Sequence, residues 1–159
     1  SVYRSAVGEI NVVERMKEVD AILGGEGNGG VILPDLHYGR DALAGTALIL
    51  QHLADSGRSL GDLHDHLPHY AIAKQNLPLT DVPPDRLLAA LAEQYEDEDQ
   101  STIDGLKINF DASWVHMRPS NTEPILRVYT EAGTEDEAQA LAARFRGELQ
   151  DLIDTLEEG

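Results

Sequence analysis

The stretch Ser113–Phe145, SWVHMRPSNTEPILRVYTEAGTEDEAQALAARF, decides the fold of this chain. Two strand-like runs within it, Ser113–Met117 and Ile125–Thr130, are joined by a turn that two prolines frame. The capping box Thr134-Glu135-Asp136-Glu137 then begins an apolar stripe at helical spacing, which predicts a helix over 135–156. Strands joined by a short turn and followed by an amphipathic helix predict a small α+β domain with an antiparallel sheet.

The residues just before this stretch extend the same domain. An acidic turn at Glu96–Asp99 follows a second predicted helix and precedes the strand-like runs. The predicted elements upstream of Ser113 are a short helix from Ser59 to Pro68, a strand at Tyr70–Leu79, a helix over about 85–95 and a strand at Gly105–Phe110.

The first part of the chain has a different pattern, in which short apolar runs alternate with helices. So few short elements bury little apolar surface, and we interpret this part as half of an α/β domain. We expect the boundary near 55–68, with domains at 1–57 and 58–159. The elements predicted in the first part are helices over about 9–19 and 40–54 and strands at 2–5, Ala21–Leu23 and Val31–Leu33.

The composition is that of a globular protein of 159 residues, with 42% apolar and 26% charged residues. No apolar run is long enough to span a membrane and no N-terminal signal pattern is seen, so we expect a cytoplasmic location. The absence of cysteine excludes disulfides, thiolate metal sites and cysteine nucleophiles. A formal net charge of −17 argues against nucleic acid or an anionic membrane as a partner, because both require a basic surface.

The glycine-rich loop Gly24–Gly30 has the chemistry of a sugar-binding loop. Five glycines in seven residues let the backbone approach a ligand closely. Glu26 supplies a hydroxyl acceptor, and the amide of Asn28 both donates and accepts. A dinucleotide site is not indicated, because the Gly-x-Gly-x-x-Gly spacing and its helix are missing. On composition alone, a flexible glycine turn explains the loop equally well.

The loop Arg118–Pro124 has the chemistry of an anion site. Ser120, Asn121 and Thr122 concentrate hydroxyl, amide and backbone donors in one turn. Arg118 adds a planar fork that matches phosphate oxygens. The alternative from the residues alone is a well-capped hairpin turn with a surface arginine.

The histidines His64, His66 and His69 form a His-x-His-x-x-His cluster that invites a zinc interpretation. We do not expect a metal there, because the run is predicted to be helical and the three positions do not share a helix face. The acidic turn at 96–99 lacks the spacing and the glycine of a calcium loop.

Together these segments resemble the α-D-phosphohexomutases. The loop Arg118–Pro124 matches that family's phosphate-binding loop, and Gly24–Gly29 resembles its sugar-binding loop Gly-Glu-x-Ser-Gly. Asn28 stands where serine is usual, and Gly30 stands where many members have histidine. Further segments that resemble the family are Val7–Val12, Asp104–Ile108, Trp114, Leu126–Tyr129 and, as in members that act on phosphoglucosamine or phosphomannose, Gly39-Arg40-Asp41.

The resemblance implies the end of the family's domain 3, an α/β half-domain, followed by a TATA-binding-protein-like domain 4 with an antiparallel sheet and two helices. It implies exchange of phosphate between positions 1 and 6 of a hexose phosphate through a phosphoserine and a hexose 1,6-bisphosphate intermediate. The serine loop and the magnesium-binding Asp-rich loop of domains 1 and 2 do not occur here. We therefore expect this chain to need those N-terminal domains as partners and to be inactive alone.

By the same resemblance, the chain contributes binding residues and leaves magnesium and the catalytic serine to the other domains. The preferred sugar stays open, and so does the alternative of a non-catalytic phosphosugar-binding or regulatory module. The implied sugar ligands are Gly8, Glu9, Glu26 and Asn28, and the implied phosphate ligands are Arg118, Ser120, Asn121 and Thr122.

The charge distribution predicts how salt acts on stability. Acidic residues cluster at 93–99, 131–137 and 148–158, and only three lysines occur. Screening lengths fall from about 30 Å at 0.01 M to about 3 Å at 1 M salt, which relieves like-charge repulsion. The melting temperature should therefore rise with sodium chloride over this range, as in a halophilic protein. A flat or falling melting temperature would indicate an ordinary acidic protein instead.

Overall fold

The computed structural model describes residues 1–79, 81–120 and 122–158. By its internal contacts the chain divides into two compact units, Ser1–Pro68 and a second unit that begins at His69. In the described part of the chain, no helix is both long and apolar enough to cross a bilayer.

The first unit consists of helices around one short antiparallel hairpin. In the hairpin, Gly24 pairs with Ile32 and Gly25 with Val31. Among the described residues of this unit, the buried apolar side chains are Met16, Ile32 and Ala44. Its elements are α1 (Glu9–Glu18), β1 (Gly24–Gly25), β2 (Val31–Ile32), α2 (Ala42–Ser56) and α3 (Leu60–Asp65).

The helices of this unit begin where the sequence supplies caps. The Asp41 carboxylate accepts the backbone N–H groups of Leu43 and Ala44 at 2.8 and 2.9 Å, which starts α2. Ser59 and Asp62 form a reciprocal capping box that starts α3. Gly57, at φ 64°, adopts the left-handed conformation that ends α2.

Two strands expected in the first unit are wrong. Residues 2–5 and Ala21–Leu23 have no strand geometry. Strand β1 begins only at Gly24 and pairs with β2 alone among the described residues, so Ala21–Leu23 has no ladder to join. The side chain of Ile22 is 87% exposed, and apolar side chains of α2 are also uncovered, with Leu43 at 82%.

The second unit is an antiparallel sheet covered by two helices, as the sequence predicts. Among the described residues the sheet has five strands in the order β3-β7-β6-β5-β4. The short strand β4 was missed because it begins inside the acidic turn. The elements are β3 (Ala71–Pro78), α4 (Pro84–Gln94), β4 (Asp99–Ser101), β5 (Leu106–Asn109), β6 (Trp114–Pro119), β7 (Ile125–Ala132) and α5 (Glu135–Glu158).

The core of the second unit lies between the sheet and these helices. Alternate residues of β7, including Leu126 and Val128, are fully buried against α5. The buried hydroxyl of Thr130 donates to the backbone oxygen of Ala138 at 2.7 Å and ties β7 to the first turn of α5. The ring of Phe145 is buried, with its centroid 5.2 Å from that of Tyr95 and 6.1 Å from that of Phe110.

Replacing Phe145 by alanine should destabilise the second unit by about 3–5 kcal/mol, because it removes a fully buried ring and leaves a cavity. Trp114 is the only tryptophan, so its fluorescence in urea reports on this unit. The neighbouring exposed Arg146→Ala serves as control and should change the free energy of unfolding by less than about 0.5 kcal/mol. An unchanged unfolding midpoint in Phe145→Ala would contradict this view of the core.

Candidate functional site

The glycine-rich loop is a tight connection between β1 and β2. The backbone N–H of Glu26 donates to the oxygen of Gly30 at 3.0 Å, and Gly29, at φ 93°, donates to the oxygen of Glu26 at 3.0 Å. The side-chain oxygen of Asn28 accepts the N–H of Gly30 at 3.0 Å. This bond uses the acceptor of the Asn28 amide to shape the loop, so its NH2 group remains to donate to a ligand.

Arg40 joins the glycine-rich loop to the start of α1. Its backbone N–H donates to Glu9 Oε1 at 3.0 Å, and its Nε–H donates to Glu9 Oε2 at 2.9 Å. Its Nη1 lies 3.6 Å from Glu26 Oε2. Gly8, at φ 121°, occupies the residue before α1, so Glu9 begins the helix. The structure thus brings Gly8, Glu9, Glu26 and Asn28 into one region of the first unit.

The electrostatics of this region follow from these hydrogen bonds. The backbone N–H of Arg40, and then its guanidinium, hold the pKa of Glu9 below its ordinary value, and His37 adds to the effect. The N–H of Ala44, followed by the hydrogen bond from His37, lowers the pKa of the Asp41 carboxyl. Both carboxylates therefore stay charged at neutral pH.

An open depression of about 620 Å³ lies over this loop. It presents backbone from the glycine-rich loop together with carboxylate, amide and guanidinium groups, which suits a hydroxyl-rich ligand. The sequence alone does not identify Arg40 as a site residue, because Arg40 and Glu9, which it contacts, are 31 positions apart. The residues that line the depression are Glu9, Asn28, Gly29, Gly30, Val31, Arg40, Asp41 and Ala42.

The second loop lies between β6 and β7. Arg118 is the next-to-last residue of β6, and its side chain is 18% exposed. Its Nη1 lies 3.8 Å from Asp104 Oδ2, while its buried Nε has no hydrogen-bond partner in the described part of the chain. A buried donor without an acceptor is costly, and an anion bound at this loop would satisfy it.

Gly105 makes room for Arg118. Its φ is 71°, and a Cβ there would lie 2.2 Å from the backbone oxygen of Met117 and 2.8 Å from the Cβ of Arg118. Only glycine permits this approach, which brings the turn at Asp104 against the end of β6.

A second arginine faces Arg118 across the ladder. The register pairs Arg118 with Arg127, so two cations lie opposite each other on one face of the sheet. Like charges that are directly opposed across two strands repel, and an anion bound between them would relieve this repulsion further than the nearby Asp104 and Glu123 carboxylates do. Arg127 is therefore a candidate phosphate ligand that the sequence analysis missed. The hairpin pairing of β6 and β7 was the signal that would have revealed it.

Ser120 and Thr122 complete the described part of the loop. The Ser120 hydroxyl oxygen accepts from Arg127 Nη2 at 3.2 Å and from the Thr122 N–H at 3.4 Å. Thr122 Oγ1 lies 3.5 Å from the same oxygen, a long contact in which either hydroxyl can be the donor. Arg127 also lies 3.5 Å from Glu123 Oε2. Asn121 lies outside the described residues.

The histidine cluster does not lie on one helix: α3 ends at Asp65, so only His64 is helical, His66 is the C-cap and His69 follows, and the helix expected to continue to Pro68 is shorter. His64 Nδ1 lies 3.5 Å from Asp65 Oδ1, and His66 Nδ1 lies 2.5 Å from the backbone oxygen of Asp62. Over 1–79, 81–120 and 122–158, no three His, Asp or Glu side chains are grouped closely enough to hold a metal ion.

Comparison with known proteins agrees with this geometry. Residues 1–70 match the family model described as phosphoglucomutase/phosphomannomutase, alpha/beta/alpha domain III, and residues 76–148 match that of its C-terminal domain. The chain belongs to the phosphoglucomutase/phosphomannomutase family. The resemblance and the fold class expected from the sequence are both confirmed.

Members of this family from archaea are similar over most of the chain. A phosphoglucomutase/phosphomannomutase of Thermococcus kodakarensis is 41% identical over 87% of this chain and 30% of its own length. A probable phosphoglucosamine mutase of Methanopyrus kandleri is 33% identical over 99% of this chain and 35% of its own. The chain thus spans about a third of the length of these curated relatives.

A solved structure of the family has the same fold. The crystal structure of a phosphoglucomutase/phosphomannomutase family protein from Burkholderia thailandensis is 28% identical, with a TM-score of 0.72. The match covers 98% of this chain and 32% of the Burkholderia chain.

The facing arginines predict binding of inorganic phosphate to the isolated chain. Phosphate should shift the backbone NMR signals around Ser120 and Thr122 when titrated at constant ionic strength, which keeps screening fixed. Arg118→Ala should weaken binding about 10- to 150-fold, the effect of losing one charge-assisted hydrogen bond. Arg146→Ala, also an arginine of the second unit, should bind as the wild type does. Equal affinity in Arg118→Ala would leave the loop a structural turn.

Proposed function

We propose that this chain is the sugar- and phosphate-binding part of a phosphohexomutase, an enzyme that exchanges phosphate between positions 1 and 6 of a hexose. The observation that carries the proposal is the pair Arg118 and Arg127, opposed on one face of the sheet beside Ser120. Asp104, 3.8 Å from Arg118, and Glu123, 3.5 Å from Arg127, partly balance the two charges, so the feature is a concentration of guanidinium and hydroxyl donors in one place. The family membership supports the same activity.

In this proposal the second unit binds the phosphate that is not reacting. Arg118 offers its Nε–H and its outer nitrogens, Arg127 offers a second guanidinium, and Ser120 donates its hydroxyl hydrogen. Asn121 and Thr122 add donors from the same turn. A firmly held remote phosphate orients the other end of the sugar, and phosphoryl transfer depends chiefly on such positioning.

The first unit holds the ring hydroxyls. Glu26 accepts hydrogen bonds from hydroxyl groups, and the NH2 group of Asn28 donates to them. Gly8 places Glu9 at the head of α1, where it holds Arg40. Acceptors and donors that contact only hydroxyl groups tolerate a substrate bound in either orientation, as a reaction through a bisphosphate requires.

The chemical step belongs to the family's first two domains. There a phosphoserine donates its phosphoryl group to the hexose phosphate, the hexose 1,6-bisphosphate reorients, and the serine recovers a phosphoryl group from the other position. Magnesium supplies electrostatic stabilisation of that transfer. The described residues of this chain have no fitting cluster of oxygen ligands, so no step is assigned to magnesium here.

The first unit carries an uncovered surface that fits a larger assembly. Ile22 and Leu43 are largely exposed, and Ile49 and Leu50 of α2 are more than half exposed. Large apolar side chains exposed on a short unit with few buried ones are consistent with a surface that another protein segment covers. We propose the N-terminal domains of the family as that partner. The names of the relatives make phosphoglucosamine, phosphoglucose and phosphomannose the candidate substrates.

Mutase activity tests this function. The chain alone, given hexose 1-phosphate, magnesium and catalytic hexose 1,6-bisphosphate, should show no turnover. Together with the family's first two domains and the start of its domain 3, on one polypeptide, it should produce hexose 6-phosphate. In that enzyme Glu26→Gln should lower kcat/KM, because the amide is a weaker acceptor than the carboxylate, while the melting temperature stays unchanged. The exposed Arg86→Ala is the control.

Three results would contradict the proposal or a part of it. If the assembled enzyme shows no turnover of glucose, mannose or glucosamine phosphate, a mutase function is excluded and a non-catalytic phosphosugar-binding module is favoured. Turnover by this chain alone would place the chemistry within it. An unchanged kcat/KM in Glu26→Gln with each of the three substrates would remove Glu26 from the sugar site.

A further inference from the structure

Arg40 lies between two carboxylates that the sequence analysis treated as equivalent sugar ligands. It donates two hydrogen bonds to Glu9, one from the backbone and one from Nε, and its Nη1 lies 3.6 Å from Glu26 Oε2. The 3.6 Å separation exceeds a hydrogen bond but retains a strong electrostatic attraction. The same guanidinium thus contacts the start of α1 and the glycine-rich loop.

The two carboxylates differ in what they have left to offer. Each oxygen of Glu9 already accepts a hydrogen bond from Arg40, in a nearly bidentate arrangement. Glu26 is only 12% exposed, yet no hydrogen bond reaches its carboxylate from the described residues. Glu26 therefore has more acceptor capacity left for sugar hydroxyls, although Glu9, which lines the depression, also keeps a free lone pair on each oxygen.

Gly30 is the reason that Arg40 can occupy this position. A Cβ on Gly30 would lie 2.6 Å from Cδ and 3.1 Å from Cγ of Arg40, too close for either atom. The arginine stem therefore lies across the bare backbone of Gly30. Gly27, three residues earlier in the same loop, has no atom within 4 Å of the corresponding Cβ position.

We propose that Arg40 is a positioning residue, which Glu9 anchors across Gly30 so that its outer nitrogen orients the carboxylate of Glu26 toward the sugar. The proposal rests on the function given above and assigns Glu9 to the anchor rather than to the ligand. It also explains why glycine stands at position 30: a side chain there displaces the arginine and leaves Glu26 buried without its cation.

The contact itself is measurable without substrate, by NMR titration of the Glu9 carboxyl in the 159-residue chain. In the wild type the pKa of Glu9 lies below its ordinary value because of Arg40, with a smaller effect of His37. Arg40→Ala should raise this pKa part of the way back, since the backbone N–H remains. Gly30→Ala should act in the same direction, and the matched Gly27→Ala should leave the pKa of Glu9 unchanged.

Kinetics of the assembled mutase test the positioning role. Arg40→Ala and Gly30→Ala should each lower kcat/KM roughly 10- to 100-fold, the range expected for a displaced binding group, and Arg40→Lys should recover part of the loss. The double variant Gly30→Ala/Arg40→Ala should lose little beyond Arg40→Ala, because Cδ and Cγ of Arg40 are the nearest atoms to a Cβ at position 30 and Asn28 Oδ1, at 3.3 Å, needs to move only slightly. Arg58→Ala, an exposed arginine of the same unit, should retain full activity.

A double-mutant cycle between Arg40 and Glu26 distinguishes a positioning role of Arg40 from direct contact of Arg40 with the substrate. If Arg40 acts by orienting Glu26, adding Arg40→Ala to Glu26→Gln should reduce kcat/KM less than twofold further. The full Arg40→Ala loss on top of Glu26→Gln would show that Arg40 contacts the ligand itself and would overturn the proposal. Arg40→Ala with wild-type kcat/KM would overturn it as well.

The outcomes also distinguish this proposal from the function on which it rests. An assembled wild-type enzyme without turnover would refute the mutase function, while the Glu9 titration would still decide the Arg40 contact. If the assembled wild-type enzyme is active but the pKa of Glu9 lies at its ordinary value, the contact between Arg40 and Glu9 is refuted and the mutase function stands. Where Arg40→Ala melts below assay temperature, Arg40→Lys and Gly30→Ala supply the same comparisons.

Discussion

The antiparallel register of β6 and β7 is the constraint on which the second unit depends. Met117 pairs with Val128, and both side chains are completely buried against the helices. Since side chains alternate between the faces of a strand, burying that pair directs the next pair, Arg118 and Arg127, to the opposite face. A shift of one residue would exchange the two faces. The apolar core therefore determines that Arg118 and Arg127 lie opposite each other on the other face of the sheet, where we propose the phosphate site.

The first unit is organised in the opposite way, around charged groups. Its buried apolar side chains are few, and Arg40 makes the long-range connection between α1 and the glycine-rich loop. Asp41 holds the neighbouring position by capping α2 and by donating its N–H to Val31 at 2.8 Å. Such polar connections define geometry but contribute little to stability at exposed positions. Among the described residues, the larger apolar core belongs to the second unit, and the first unit depends more on these polar contacts for its local geometry.

The sequence was most informative where local physics decides the structure. The helix begun by Thr134 and the turn framed by Pro119 and Pro124 follow from capping and proline chemistry, and both loops are recognisable from composition. Arg40 and Arg127 were missed as site residues, because their partners are set by the approach of distant segments. The strand expected at Ala21–Leu23 was wrong for a related reason, since an apolar run needs a neighbouring strand, which no described residue supplies. Assignment of the ligand roles remains a prediction.

The position of β3 in the sheet has a consequence for folding. Strand β7 pairs with β6 through a short turn and meets α5 immediately after it, so these contacts close small loops. Strand β3 pairs with the same β7, from Ala71 with Ala132 to Pro78 with Ile125, across almost the whole unit. Long-range pairing of this kind slows folding, and a ribosome releases β3 long before β7. The strand of this unit that is made first therefore waits longest for its partner, and the apolar side chains of Ala73 and Leu77 stay exposed until both β7 and α5, against which they pack, have been made.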